Sequence, residues 1–199
     1  KILEVLQLQS VWLLMIVILC AYVGYKTTDV FSLYAKDVMG YNQVESAQVA
    51  NYLLFARPII AISLALLATN SKTTLLLITG FMISFVGALL FSLGIISSSK
   101  TLLFITSILL LAIGVYSLRA LYFSVMKKGK IPLTLTGTAV GLISITGYTP
   151  DIFSGPIIGY LLDNYPGIKG HQYVFSMLSV FSFIGAVASW KYHKLYKSE

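Results

Sequence analysis

Six long apolar runs follow one another along the chain, separated by short polar segments. At 1.5 Å per residue, each run is long enough to cross a hydrocarbon core of about 30 Å. The runs lack the alternation of apolar and polar residues that is typical of membrane strands, so we interpret them as helices. They cover residues 11–35, 44–68, 74–96, 102–126, 133–162 and 173–190. The pattern predicts an all-α membrane protein with one six-helix transmembrane domain over residues 1–199.

The composition excludes the main soluble classes of protein. Of the 199 residues, 57% are hydrophobic and 11% are charged. A soluble globular domain has about 25% charged residues, and a disordered chain has far less apolar surface. A secreted disulfide scaffold is excluded as well, because Cys20 is the single cysteine of the sequence.

The net charge of +7 has an uneven distribution along the chain. If six spans place both termini on one side, eight lysines lie on that side and three on the other, which predicts cytoplasmic termini. This bias accounts for most of the basic excess, so we expect no nucleic-acid partner. The eight are Lys1, Lys72, Lys127, Lys128, Lys130, Lys191, Lys194 and Lys197, and the three are Lys36, Lys100 and Lys169.

Five charged residues lie inside the predicted spans: Lys26, Asp29, Arg57, Arg119 and Asp151. Insertion of each costs about 2.5–3.5 kcal/mol at a helix centre, so they are expected to be paired or to face water. Lys26 and Asp29 are spaced to pair on one helix face. Asp151 has Lys26 or Arg57 as alternative partners, and Arg119 is close enough to the cytoplasm to reach the membrane surface.

The functional interpretation is that these charges line a water-filled cavity for a small anionic solute. The candidate substrate-binding residues are Lys26, Arg57, Arg119, Tyr22, Tyr25 and Tyr148, although ordinary packing is the alternative for each tyrosine. Asp29 and Asp151 are candidates for coupling protons or balancing charge.

Small residues form stripes in two of the spans. Two G-x-x-x-G pairs lie in the fifth span, and glycines recur every seven residues in the third, where Gly80, Gly87 and Gly94 stand. Such faces let helix backbones approach closely, which predicts a role in helix packing. The fifth-span pairs are Gly137 with Gly141 and Gly155 with Gly159.

The six spans divide into two triplets of opposite orientation. The middle helix of each triplet has a proline beside a charged residue, at Arg57-Pro58 and at Pro150-Asp151. Corresponding interruptions of this kind are typical of inverted-repeat transporters with a site near the middle of the membrane. We therefore predict two inverted three-helix repeats, each with a broken middle helix.

Two segments resemble helices of the major facilitator superfamily. Residues 137–167, GTAVGLISITGYTPDIFSGPIIGYLLDNYPG, are similar to the eleventh helix, nearest to the organophosphate/phosphate antiporters and their uncharacterised bacterial relatives. The run from Asp29 to Tyr34, followed by Lys36-Asp37, is similar to the seventh helix. The resemblance implies that this chain supplies helices seven to twelve, the C-terminal half of a 12-helix carrier. The start at Lys1 rather than at Met fits that expectation.

The resemblance also implies a function: a symporter or antiporter that moves a small organic anion, such as a sugar acid, sugar phosphate or carboxylate. The site would lie between this half and the N-terminal half, in a bacterial inner membrane. Gly24 occupies the position of a phosphate-binding arginine in those antiporters, and Asp151 replaces a small residue. Both departures favour proton symport over phosphate exchange.

Two other function classes were compared with a carrier. An enzyme is not expected, because the sequence has no nucleophile, phosphate-loop or metalloprotease motif, and we expect no cofactor or metal. His171 and His193 are predicted to lie in opposite aqueous compartments, where they cannot share a metal. The alternative to a carrier is a non-transporting six-helix membrane subunit or an oligomeric channel.

Overall fold

The computed structural model describes residues 1–67 and 72–196, without the side chain of Lys127. Helices are its only regular elements in those ranges, which confirms the all-α fold class; the inverted repeat stays a prediction. Short 3-10 segments cover Thr28–Val30, Ser124–Gly129 and Leu133–Leu135. The α-helices are α1 (Ile2–Leu6), α2 (Gln9–Thr27), α3 (Phe31–Asp37), α4 (Gln43–Leu67), α5 (Thr73–Ser92), α6 (Thr101–Leu121), α7 (Thr136–Gly147), α8 (Pro150–Asn164) and α9 (Ile168–Tyr196).

Five of the six predicted spans correspond to helices that are long and apolar enough to cross a membrane. In the first of them, α2 and α3 run on through the 3-10 segment as one stretch, Gln9–Asp37. The others are α4, α5, α6 and α9. The end of the second predicted span, at Ala68, lies outside the described residues.

The fifth predicted span is divided into two helices, α7 with 12 residues and α8 with 15. The interruption lies at Tyr148 and Thr149, where the Thr149 hydroxyl donates to the carbonyl of Thr146 at 2.7 Å. Pro150 is the first residue of α8, a position where its missing N–H leaves no helix bond unmade. Neither half alone reaches across a core of about 30 Å, whereas the two in line have the length to do so.

The predicted break in the second span is wrong. Pro58 lies inside α4, which runs without interruption from Gln43 to Leu67. A proline removes one backbone hydrogen bond and crowds the preceding turn. The remaining bonds of this 25-residue helix hold it together across that position. The two triplets therefore differ in their middle helices.

Helix α2 lies at the centre of the bundle and packs against α6, α7, α8 and α9, while α5 packs between α6 and α9. In the most apolar part of Gln9–Asp37, 72% of the residues are buried, against 6% in α4. Helix α4 contacts α3 and α6 and leaves most of its surface uncovered. The bundle is thus closed around α2 and α5 and open along α4.

Glycine packing follows the prediction in the third span only. An added Cβ at Gly80 or Gly87 would lie 3.0–3.1 Å from Leu118 or Leu111 of α6, so these glycines do bring α5 and α6 together. Gly94 instead ends the helix region with φ +67°, a conformation that favours glycine. In the fifth span, nothing lies within 4 Å of a Cβ added at any of the four glycines. The packing role of Gly137, Gly141, Gly155 and Gly159 therefore stays a prediction, and it requires a neighbour beyond the described residues.

Side-chain contacts join separate segments of the chain at each end of the bundle. At one end the Tyr34 hydroxyl donates to the carbonyl of Ile96 at 2.9 Å, and His171 Nε2 lies 3.2 Å from Asp37 Oδ2. At the other end the Tyr192 hydroxyl donates to the carbonyl of Val125 at 2.8 Å. His171 is fully buried near the first end, and His193 follows Tyr192 at the second, so the two histidines lie at opposite ends of the bundle; the aqueous compartments that these ends face stay a prediction.

Candidate functional site

One face of α2 and the 3-10 turn after it carries four of the predicted site residues. Tyr22, Tyr25, Lys26 and Asp29 have the i, i+3, i+4, i+7 spacing that places side chains on a single helix face. Three other helical regions bring the remaining members to this face. The resulting set, called here the charged cluster, contains Tyr22, Tyr25, Lys26, Asp29, Arg57, Arg119, Tyr148 and Asp151.

The first ion pair of the charged cluster joins α2 to the start of α8. Lys26 Nζ lies 3.2 Å from Asp151 Oδ1, and the Tyr22 hydroxyl donates to Asp151 Oδ2 at 3.0 Å. The ring of Tyr148 meets that of Tyr22 edge-on, with centroids 4.9 Å apart. Both oxygens of the Asp151 carboxylate are thus engaged, at the point where the fifth span is interrupted.

The second ion pair joins α4 to the 3-10 turn that follows α2. Arg57 Nη2 lies 3.5 Å from Asp29 Oδ1, and Nη1 donates to the Tyr25 hydroxyl at 2.9 Å. Arg57 Nε donates to the hydroxyl of Tyr116 on α6 at 3.3 Å. Of the alternatives that the sequence left open, Lys26 pairs with Asp151 across helices, and not with Asp29 along its own helix.

Arg119 enters the charged cluster through aromatic rings. Its guanidinium carbon lies 4.1 Å from the ring centre of Tyr25 and 5.4 Å from that of Tyr22. Such cation–π contacts contribute about 0.5–2 kcal/mol. Within residues 1–67 and 72–196, no carboxylate forms an ion pair with Arg119. It is also exposed, so its N–H groups are accessible.

A cavity of about 300 Å³ opens beside the charged cluster. A larger cavity, about 540 Å³, lies between α4 and α6, but its lining is mainly apolar and holds no member of the charged cluster. We place the candidate site at the smaller one, because charged groups inside a membrane mark functional sites. Its lining residues are Tyr25, Arg57, Pro58, Ala61, Tyr116, Arg119 and Ala120.

Tyr116, whose hydroxyl accepts a hydrogen bond from Arg57 and which lines the cavity, was not among the predicted site residues. The available signal was its position three residues before Arg119, on the same face of α6. Gly24, aligned with the arginine of the resembled antiporters, does not face the site. A Cβ added there would lie 3.2 Å from Val115 and 3.5 Å from Leu178, in the packed core.

Comparison with known proteins gives two partial relatives. Inner membrane protein YihN of Escherichia coli K12 is 41% identical over 75 residues, which are 38% of this chain and 18% of that protein. Inner membrane protein YqcE of the same organism is 36% identical over 70 residues, which are 35% of this chain and 16% of that protein. No family model and no solved structure matches the chain. These similarities and the apolar helices support a multi-pass inner membrane protein.

Proposed function

We propose that this chain is the C-terminal half of a secondary active transporter of the major facilitator type, moving a small organic anion by alternating access. The observation that carries the proposal is the charged cluster. Three cations and two carboxylates from four helical segments meet beside one cavity. The solute is proposed to bind there, with Tyr22, Tyr25 and Tyr148 supplying hydroxyls or ring faces.

The excess positive charge of the charged cluster is energetically costly inside a membrane. Each charged residue at a helix centre costs about 2.5–3.5 kcal/mol, and pairing offsets part of that cost. If the charged cluster only stabilised the fold, a third cation unpaired among the described residues would add this cost without offsetting it. In a solute-binding cavity the same cation would attract an anionic solute, and binding of that solute would offset the cost. Asp29 and Asp151 then balance charge or couple protons.

The interrupted fifth span also supports a carrier. Discontinuous helices in transporters place backbone ends and polar side chains at a site near the bilayer midplane. Here the interruption at Tyr148 and Thr149 precedes Asp151, which holds Lys26. Rocking of one half against the other would change the surroundings of this ion pair.

The second half of the proposed carrier is an N-terminal set of six helices. YihN is roughly twice as long as this chain, since its 75 matched residues are 18% of its length. Helix α4 and the glycine faces of α7 and α8 are uncovered in this half. Close packing of the N-terminal half on part of this surface would give the small residues the role that their spacing predicts.

Transport by the full-length protein is the first test. We expect proteoliposomes to take up a labelled organic anion, such as gluconate or succinate, with saturable kinetics. Saturation follows from a single binding cavity that must reorient for each solute. Flux that stays proportional to solute concentration would indicate the channel alternative, and no flux of any organic anion would refute the proposal.

The orientation in the membrane gives a second prediction. In a cysteine-free full-length background, Ser99→Cys should react with a membrane-impermeant maleimide in intact cells, because the bias of lysines predicts that residues 97–100 lie outside. Lys194→Cys should react only after the membrane is permeabilised. Both positions are exposed, so accessibility to water does not differ between them. The reverse pattern would show that the termini are not cytoplasmic.

A further inference from the structure

The positive and negative charges of the charged cluster do not balance. Lys26, Arg57 and Arg119 contribute three positive charges, and Asp29 and Asp151 contribute two negative charges. Both carboxylates are already engaged, Asp151 by Lys26 and Asp29 by Arg57. One positive charge is therefore left over, and it belongs to Arg119.

Arg119 is suited to hold an anionic group. Arginine presents five N–H donors in a planar fork that matches a carboxylate or another oxyanion. In the described part of the chain, its contacts are the rings of Tyr22 and Tyr25, which offer π faces and no negative charge. Arg119 is exposed and lines the cavity. Its donors are thus available to a solute, whereas those of Arg57 are shared among Asp29, Tyr25 and Tyr116.

From this arrangement we infer that the cavity selects solutes with one negative charge, bound at Arg119, over solutes with two. The inference rests on the proposed transport function and specifies the class of its substrate. A monoanion brings the site to neutrality. A dianion leaves it with a net negative charge beside apolar helices, where the water that reaches the partly exposed ion pairs screens only part of that charge, unless an existing pair is broken. The volume of about 300 Å³ lies at the small end of ligand pockets, which fits a small organic acid.

The test measures binding to the purified full-length protein through its thermal unfolding temperature. A ligand that binds the folded state raises that temperature in proportion to the logarithm of its concentration over its Kd. The probes are pairs that share a carbon skeleton: gluconate with glucarate, and butyrate with succinate. At about pH 8 every carboxyl group of these probes is ionised. We expect the monoanion of at least one pair to bind more tightly by about tenfold or more, the factor that 1.4 kcal/mol produces.

Two variants change the charge of the site in opposite directions. Asp29→Asn releases Arg57 and raises the excess to two, so the preference should move toward the dianion by about tenfold. Arg119→Gln removes the excess and should abolish protection by the monoanion. Glu45→Gln is the control, because it also removes a carboxylate but lines the larger cavity, where its Oε2 accepts a hydrogen bond from the backbone N–H of Asn42. It should leave the preference unchanged.

The outcomes separate the inference from the proposed function. Equal or tighter binding of dianions to the unmodified protein would overturn the inference. So would an Asp29→Asn preference that equals that of Glu45→Gln, a result that does not depend on whether Arg119→Gln folds. In either case, saturable uptake in proteoliposomes would leave the transport proposal standing. If the protein took up no organic anion but bound monoanions more tightly than dianions, the transport proposal would be refuted and the anion site would stand.

Discussion

Lys26→Ala and Asp151→Asn are each expected to reduce solute uptake by the full-length protein by about tenfold or more. Either change leaves the partner charge alone inside the membrane, and breaking a buried ion pair costs about 3–5 kcal/mol. Lys26 and Asp151 are 31% and 49% exposed, so water offsets part of that penalty. A remaining cost of about 1.4 kcal/mol corresponds to a tenfold change. The measurement is the initial rate of uptake in proteoliposomes at equal protein content.

A double variant distinguishes a neutralising pair from a solute contact. If the two groups only neutralise each other, Lys26→Ala with Asp151→Asn should restore uptake, because no lone charge remains. If Lys26 binds the solute, the double variant should stay as slow as the single ones. Interaction energies of this kind are measured by comparing single and double variants.

Exposed residues of the same types serve as controls. Lys36→Ala and Asp163→Asn remove a lysine and an aspartate near the ends of α3 and α8, where both are exposed. Both variants should transport at the rate of the unmodified protein. Wild-type uptake in both Lys26→Ala and Asp151→Asn would show that the site has been assigned to the wrong residues.

The second large effect concerns stability. Gly114→Ala is expected to lower the unfolding temperature of the full-length protein. The added Cβ would lie 2.5 Å from Ser84 Oγ, 2.8 Å from Ser84 N and 2.9 Å from the carbonyl oxygen of Gly80. Two of these are backbone atoms, so α5 and α6 have to separate. Overpacking costs about 1–3 kcal/mol, and alanine regains about 0.5–1 kcal/mol through helix propensity.

A net loss of about 1 kcal/mol lowers the unfolding temperature by about 2–4 °C for a domain of this size. Thr106→Ala is the control, since it lies at an exposed position of the same helix, α6, and also raises helix propensity. It adds no atom to the contact between α5 and α6. Equal unfolding temperatures for the two alanine variants would contradict the close approach of α5 and α6.

The positions of the apolar helices could be predicted because the requirement for about 20 apolar residues per span is local. The starts of α4, α5 and α6 lie within one residue of the predicted spans. The candidate charges were recognisable for a similar reason: a charged side chain in a membrane is costly wherever it points. The contact between Arg119 and Tyr25 supports the interpretation of Arg119 as part of a central cluster over one in which it reaches the membrane surface.

Partner choice lay beyond the sequence, because it depends on how each helix is rotated and which helix stands beside it. Residue spacing allowed Lys26 to pair with Asp29 or Asp151, and only the packing of α8 against α2 selected Asp151. The same applies to Tyr116, whose role depends on the approach of α4 to α6.

The sequence by itself determined the class of protein, the helices and the set of charged candidates, because hydrophobic length and the cost of charge are properties of single segments. Tertiary structure decided which of two proline sites interrupts a helix, which glycines are packed and which cation of the charged cluster has no ion-pair partner among residues 1–67 and 72–196. These outcomes depend on contacts between residues far apart in the chain. Arg119 is the clearest example: it supplies the net positive charge of the charged cluster only because the four other charged residues form two ion pairs.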